Sequence, residues 1–394
     1  MKPYVFKVGI IGIGYIGKIH LEELSRVEGV EVVAIADANA ELVKDIGTRY
    51  GIKGTYSDWK KLVNDSDVEI IHNCTPNNLH FEVNQEVIES GKEIFSEKPL
   101  ALNADESRIL AETAKEKGTV TGINFCYRYY PVLQEAANRI RSGEIGEVHT
   151  VLGHYLQDWL LYPTDYSWRL DPKFSGCSNV MGDLGSHCCD LVQFITGSRI
   201  KEVMAELRTV IPKRQKAKDG TILTFSNQCS QDFDEIDIKL DDYGALMIRF
   251  ENEARGMFTT AQVCAGRKCN IDVQIYGAEK SLAWNHERPA ELWIGKRNEA
   301  NEIFFESPLL QNESTRHYAT LPSGHPMGYR DAIVNLFRDY YKAIKDKREG
   351  KKPVSGHPDF IAGHNEMLIL EAALESAKQG IWTEVKYKGL NHGG

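Results

Sequence analysis

Residues 5–17 read Val5-Phe6-Lys7-Val8-Gly9-Ile10-Ile11-Gly12-Ile13-Gly14-Tyr15-Ile16-Gly17. A largely β-branched run ending at Gly12 gives way at once to Ile16, Ile19, Leu24 and Val27, which fall on one face of a helix. Where the two periods meet lies G-x-G-x-x-G. In that setting the first glycine makes a tight turn, the second lets the backbone approach a pyrophosphate, and the third permits close helix–strand packing, with the anion at the positive helix N-terminus. Gly12, Gly14, Tyr15, Ile16 and Gly17 are therefore candidate cofactor contacts. Outside such a setting the same pattern is only a glycine-rich turn.

Val30 to Ala36 is strand-like again and is followed by Asp37, 20 residues after Gly17. A carboxylate there accepts hydrogen bonds from an adenosine ribose and repels a 2′-phosphate, and Ala38 and Asn39 bring no arginine, so NAD is favoured over NADP. The alternation continues with helical segments at 40–50, 57–63, 79–90 and 104–118 and strands at 68–73, 93–95 and 120–123. This is the pattern of a parallel sheet with helices on both faces, a Rossmann dinucleotide-binding domain over residues 1–125. Residues 126–394 read differently. After one helix from Pro131 to Ser142 come period-2 stretches at 148–156, 203–211, 235–240, 245–252, 254–263, 271–276 and 281–284, then helices at 329–347 and 358–379. They predict an α+β domain with a large, mostly antiparallel open-faced sheet. The polar stretch from Pro212 to Asp234 lacks periodicity and reads as a surface excursion.

The 394 residues carry 47 Lys and Arg against 56 Asp and Glu, a formal charge of -9. The first 125 hold 14 basic and 20 acidic residues and the remainder 33 and 36, so neither part has the basic excess that a polyanion requires. Nucleic acid and membrane are therefore not expected as partners, and no apolar stretch approaches the ~18 residues of a membrane span. Lys7 inside the first apolar run and the absence of a small-residue cleavage site argue against a signal peptide and for a cytoplasmic protein. The eight cysteines form no C-x-x-C pair, so reduced thiols are expected and no metal site.

Three further motifs carry chemistry. Cys74-Thr75-Pro76-Asn77-Asn78-Leu79-His80 follows the fourth strand, where Thr75, Asn77 and His80 can line a cofactor, although an Asn before a helix also serves as a cap. Glu97-Lys98-Pro99 follows the fifth strand and holds an ammonium on extended backbone. Gly182-Asp183-Leu184-Gly185-Ser186-His187 leads a helix. Asp183 and His187 share a face if both are helical, while a polar helix start with a packed histidine is the alternative.

Together with Asn124 to Pro131 and Trp168-Arg169, these motifs resemble in order and spacing the glucose-fructose oxidoreductase / inositol dehydrogenase / rhizopine catabolism (Gfo/Idh/MocA) family over nearly the whole chain. Gln157 to Leu160, Thr164-Asp165 and Leu321 to Pro326 are similar to the branch with levoglucosan and inositol dehydrogenases. The resemblance implies that Lys98, Asp183 and His187 meet the nicotinamide. It also implies that Glu97 and Arg128 lie by the cofactor, that Tyr127, Trp168 and Arg169 lie by cofactor or substrate, and that the second domain's sheet makes a homodimer or homotetramer.

Oxidation of a secondary alcohol needs a hydride acceptor and a base. His187 suits the base, Lys98 the stabilisation of a developing alkoxide, and Asp183 the orientation of His187 or of a neighbouring hydroxyl. Tyr155, Gln157, Asp165, Trp168 and His325 are candidate contacts to a sugar or cyclic polyol. Tyr155 and Gln157 share a strand face, with His154 turned the other way. Two other activities stay open: glycoside cleavage through transient oxidation by a retained NAD, and cofactor-binding regulation without turnover.

Overall fold

A computed structural model describes residues 4–218, 232–351 and 356–387. The chain forms two compact units, one from the residues up to Cys126 with Tyr329–Asn365, the other from Tyr127–Gly328 with the segment from Glu366.

In the first unit β1 (Phe6–Ile11), β2 (Val30–Ala36), β3 (Gly54–Tyr56), β4 (Ile70–Asn73), β5 (Glu93–Ser96) and β6 (Thr121–Ile123) make a six-stranded sheet in the order β3-β2-β1-β4-β5-β6. All its pairings are parallel. The strand order reverses between β1 and β4, the point at which open α/β sheets bind ligands beyond their strand ends. Helices α1 (Tyr15–Leu24), α2 (Ala40–Tyr50), α3 (Trp59–Val63), α4 (His80–Glu89) and α5 (Ala104–Lys117) connect the strands. Local sequence fixes several ends: Asn39 and Asn103 cap α2 and α5 through their side chains, and Gly51 and Gly118 close them in the left-handed conformation. The core beneath is aliphatic, with Ile11, Ile71, Val83, Ile94, Leu110 and Ile123 all buried.

The expectation of a single second domain over 126–394 needs correction. The helix Tyr329–Arg348 belongs to the first unit, where Tyr340 packs on Phe95 and Tyr341 bonds His72. Its apolar face marks it as amphipathic, but periodicity does not say which sheet that face will cover.

In the second unit β7 (Val148–Leu156), β8 (Ile200–Arg208), β11 (Tyr243–Phe250), β12 (Arg255–Ala261), β13 (Asn270–Gly277), β14 (Lys280–Asn285), β15 (Glu291–Lys296), β16 (Glu302–Phe305) and β17 (Thr383–Glu384) make a nine-stranded sheet. Its order is β16-β15-β14-β13-β7-β12-β11-β8-β17, antiparallel except between β7 and β12. Helices α6 (Pro131–Arg141) and α8 (Ser186–Thr196) pack on each other and on the sheet, and the short α7 (Pro172–Ser175) packs on the turn at Trp168–Leu170. The polar stretch expected as a surface excursion contains instead a hairpin of β9 (Lys213–Ala217) with β10 (Phe233–Asp237). Arg214 on β9 is fully buried, bonded to the carbonyls of Leu160, Tyr162 and Asp165 and to Asp242, which is why a charged sequence still folds here. The middle of that stretch, 219–231, lies outside the described residues. The long helices Tyr329–Arg348 and Phe360–Gln379 are α9 and α10. No helix among the described residues is long and apolar enough to cross a membrane.

Candidate active site

The glycine-rich turn has the geometry its sequence demands. Gly12 sits at φ +88°, and a Cβ there would come within 2.5 Å of the Cys74 carbonyl oxygen. A Cβ on Gly17 would collide with the Gly12 carbonyl oxygen, whereas one on Gly14 would meet nothing within 4 Å. So the first and third glycines are required by the fold, and the second faces open space at the start of α1, where an anion is favoured. Tyr15 is exposed beside it and Ile16 half-buried. The Asp37 carboxylate accepts from the Ile13 backbone N–H at 2.8 Å and from that of Asn39 at 2.9 Å. This ties the end of β2 to the turn, and the donor set fits a dinucleotide.

Around β4 and β5 the expected contacts divide. Thr75 and Asn77 stay partly exposed, the Thr75 hydroxyl bonded to Asn73. His80 is buried, with Nδ1 2.6 Å from the Pro99 carbonyl and Nε2 2.9 Å from that of Thr75. Burial pushes its pKa down, and the neutral ring carries one N–H, which it can donate to one of these two carbonyls. Glu97 is likewise turned inward. Its carboxylate takes His20 Nε2 at 2.9 Å and Asn124 Nδ2 at 2.5 Å. Burial raises its pKa, but the bonds from His20 and Asn124 outweigh that and hold it below the usual carboxylate range. His20 Nδ1 lies 3.0 Å from His72 Nδ1, and His72 Nε2 2.9 Å from the Tyr341 hydroxyl. With neutral rings one polarity satisfies every atom, running from the Tyr341 hydroxyl through His72 and His20 to Glu97. Lys98, half-exposed with a cis bond to Pro99, is thus flanked by two anchored neighbours.

In the second unit Asp183 lies in a π turn, Met181–Gly185, that runs straight into α8, which carries His187. His187 is buried edge-on to Tyr127, ring centroids 4.8 Å apart, with Tyr155 at 6.3 Å. The Tyr127 and Tyr155 hydroxyls are 2.8 Å apart, and the Cys269 sulfur is 3.4 Å from that of Tyr155. Gln157 Nε2 reaches Tyr155 at 3.4 Å while its Oε1 accepts from Trp159. Arg169 stacks on Trp168 and brings Nε to 3.7 Å from Asp183. Tyr127, Tyr155, Gln157, Trp168, Arg169, Asp183 and His187 therefore converge.

Three expected contacts do not join them. Arg128 makes a two-pronged, buried ion pair with Asp190 on α8, a geometry that commits the guanidinium to the interior. Asp165 folds back on the Tyr162 backbone N–H, and exposed His325 on the Pro322 carbonyl. Missed in the sequence were Gln262, which bonds Asp183 at 3.1 Å, and Cys269 with His286, whose Nδ1 meets the Cys269 carbonyl. Gln262 follows the last residue of β12, and nothing local marks it.

An oxidoreductase family with an NAD-binding Rossmann fold matches residues 6–125, and the GFO/IDH/MocA C-terminal domain matches residues 133–283. Levoglucosan dehydrogenase of Pseudarthrobacter phenanthrenivorans is 31% identical over 96% of this chain and 97% of its own. The chain belongs to the Gfo/Idh/MocA oxidoreductase family. Another member, myo-inositol 2-dehydrogenase of Thermotoga maritima, is 31% identical over 92% of this chain and 93% of its own. Among solved family structures, a levoglucosan dehydrogenase in complex with NADH and L-sorbose superposes with a TM-score of 0.87 at 29% identity, over 98% of this chain and 100% of that one. The cofactor of this family member is NAD, as Asp37 predicts.

Proposed function

We propose that the protein oxidises a secondary hydroxyl of a cyclic polyol or pyranose-type sugar to the ketone, with NAD as acceptor. The observation that carries this reading is the convergence of His187, Asp183, Tyr127, Tyr155 and Gln157, an imidazole and a carboxylate among uncharged donors and acceptors suited to several hydroxyls. The levoglucosan and inositol dehydrogenases among its relatives support the same substrate class. The nicotinamide takes the hydride from carbon. His187 takes the hydroxyl proton, an imidazole being able to accept and release it near neutral pH. Lys98 stabilises the developing alkoxide. Asp183 orients His187 or binds an adjacent hydroxyl, and Trp168 and Arg169 shape the approach. On the first unit, Gly12, Gly14, Tyr15, Ile16, Gly17, Asp37, Thr75 and Asn77 hold the dinucleotide.

The reading includes a second copy of the chain as partner. One register row crosses the nine-stranded sheet from Met204 through Met247, Met257, Leu152, Gln274, Ala283 and Trp293 to Ile303. Met247, Met257 and Ile303 on it are each about half-exposed, more apolar surface than a sheet facing water usually carries. Light scattering on the parent and on Met247→Lys/Met257→Lys tests this, the substituted chain being monomeric if the face is the contact.

A panel of inositols, anhydrosugars and aldohexoses with NAD, followed by NADH absorbance, tests the activity. Turnover on at least one member is expected. Release of an aglycone with no net NADH identifies glycoside cleavage instead, and turnover favouring NADP contradicts the role of Asp37.

A further inference from the structure

The geometry points to Gln262 as a positioning residue: we propose that it holds Asp183 in the ionised, hydrogen-bond-accepting form and so sets the pH below which turnover is lost. This rests on the reading of Asp183 as part of the catalytic set.

The argument is one of polarity. The Asp241 backbone carbonyl can only accept, and Asn179 Nδ2 lies 3.0 Å from it, so the Asn179 amide is oriented with its nitrogen on that side. The same Nδ2 donates to Gln262 Oε1 at 2.6 Å. Gln262 Nε2 is left as the donor that faces Asp183 Oδ2 at 3.1 Å. Each amide in this series is therefore held in one orientation. Asp241 also accepts from the backbone N–H groups of Asn179 and Met181 and from the Ser178 hydroxyl, which pins the start of the π turn. Gln262 is fully buried, its backbone tied to Asp242 and Leu160.

A fixed donor favours the charged form of a carboxylate. Other groups act on Asp183 as well: Arg169 from the turn at Trp168–Leu170, Tyr155 from β7, and His187 one turn further along its own segment. Arg169 at 3.7 Å is partly exposed and screened. Gln262 is a buried, directed contact.

Two variants test the assignment in the full-length protein. Gln262→Glu replaces the donor by a second carboxylate and is expected to move the acidic limb of kcat upward by about one pH unit or more, with NAD affinity unchanged. Gln262→Met keeps the volume, removes the donor and moves the limb in the same direction by less. A merely structural role would lower the yield of folded protein and leave the limb where it is. The same titration is read without turnover in the infrared spectrum of 13C-aspartate-labelled protein, the Asp183 band being identified by its loss in Asp183→Asn. An unmoved band in folded Gln262→Glu, or in Gln262→Met should the first not fold, overturns the proposal. A shifted band with no substrate oxidised by the parent upholds Gln262 and overturns the dehydrogenase reading instead.

Discussion

The first unit buries two imidazoles in series, His72 and His20, strung between Tyr341 and the Glu97 carboxylate, and the second buries a set of carboxylates, Asp190 paired with Arg128, Asp241 with backbone N–H groups, and Glu366 with the Gln193 amide. Burial penalises the charged form of either type, with opposite sign. It pushes His72 well below its ordinary range, helped by neighbouring His20, and pushes Glu366 well above its own, helped by Asp190. The candidate sites are also built differently: the first from a backbone turn with no room for a Cβ at two positions, the second from side chains.

That difference predicts where damage appears. His187→Ala is expected to lower turnover by about 10²–10⁴-fold while NAD affinity, measured by fluorescence titration, stays near that of the parent. Lys98→Ala should do the same from the first unit, and near-normal turnover in either variant removes that residue from the mechanism. Gly17→Val has the converse signature, weakening NAD binding on the order of 100-fold, since the added carbons must displace the Gly12 carbonyl. Unchanged affinity there would mean that the turn does not hold the dinucleotide.

The smaller effects concern stability. His72 is neutral when folded and protonates in the unfolded chain below its ordinary pKa of about 6.5. Its contribution is therefore complete above that pH and lost as pH falls toward the folded value. His72→Leu should cost roughly 1–3 kcal/mol, because His20 and Tyr341 lose a buried partner, yet flatten the acid decline in unfolding midpoint. Glu366 behaves oppositely. Its raised pKa favours the protonated form in the folded chain, so it stabilises most below the unfolded carboxylate pKa and loses that contribution as pH rises through its raised folded value. Glu366→Gln, which keeps an acceptor for Gln193, should flatten the alkaline side by about 1 kcal/mol. Hydrogen exchange resolved by peptide assigns each change to its unit, and an equal response of both units to both substitutions would dissolve the contrast.

Much of the first unit was legible because its signals are local. Gly12, Gly14 and Gly17 stand where a strand period meets a helix period, and Asp37 follows the next strand, so fold and cofactor come from neighbours in sequence. The second unit's site was legible only in part. Asp183, His187, Tyr155 and Gln157 are marked by motif or by strand period, but Gln262 reaches Asp183 from just beyond β12, and no short window of sequence contains both. Tertiary partners also act on residues that the motifs single out: the side chains of His80, Glu97 and Arg128 each meet a buried group supplied from elsewhere in their unit. Lys213–Ala217 has the charge of a loop, and Arg214 became interior only because three carbonyls and Asp242 were waiting for it.

By itself, then, the sequence determined the parallel sheet, the glycine-rich turn, the choice of NAD and the placing of Asp183 and His187 in one continuous segment, because backbone conformation and short periodicities are settled among adjacent residues. Only the tertiary structure decided that α9 covers the first sheet, which polar side chains are spent on one another, and which amide polarises Asp183. Those outcomes depend on groups that meet from tens to hundreds of residues apart, and a buried polar group's role is fixed by the partner it finds.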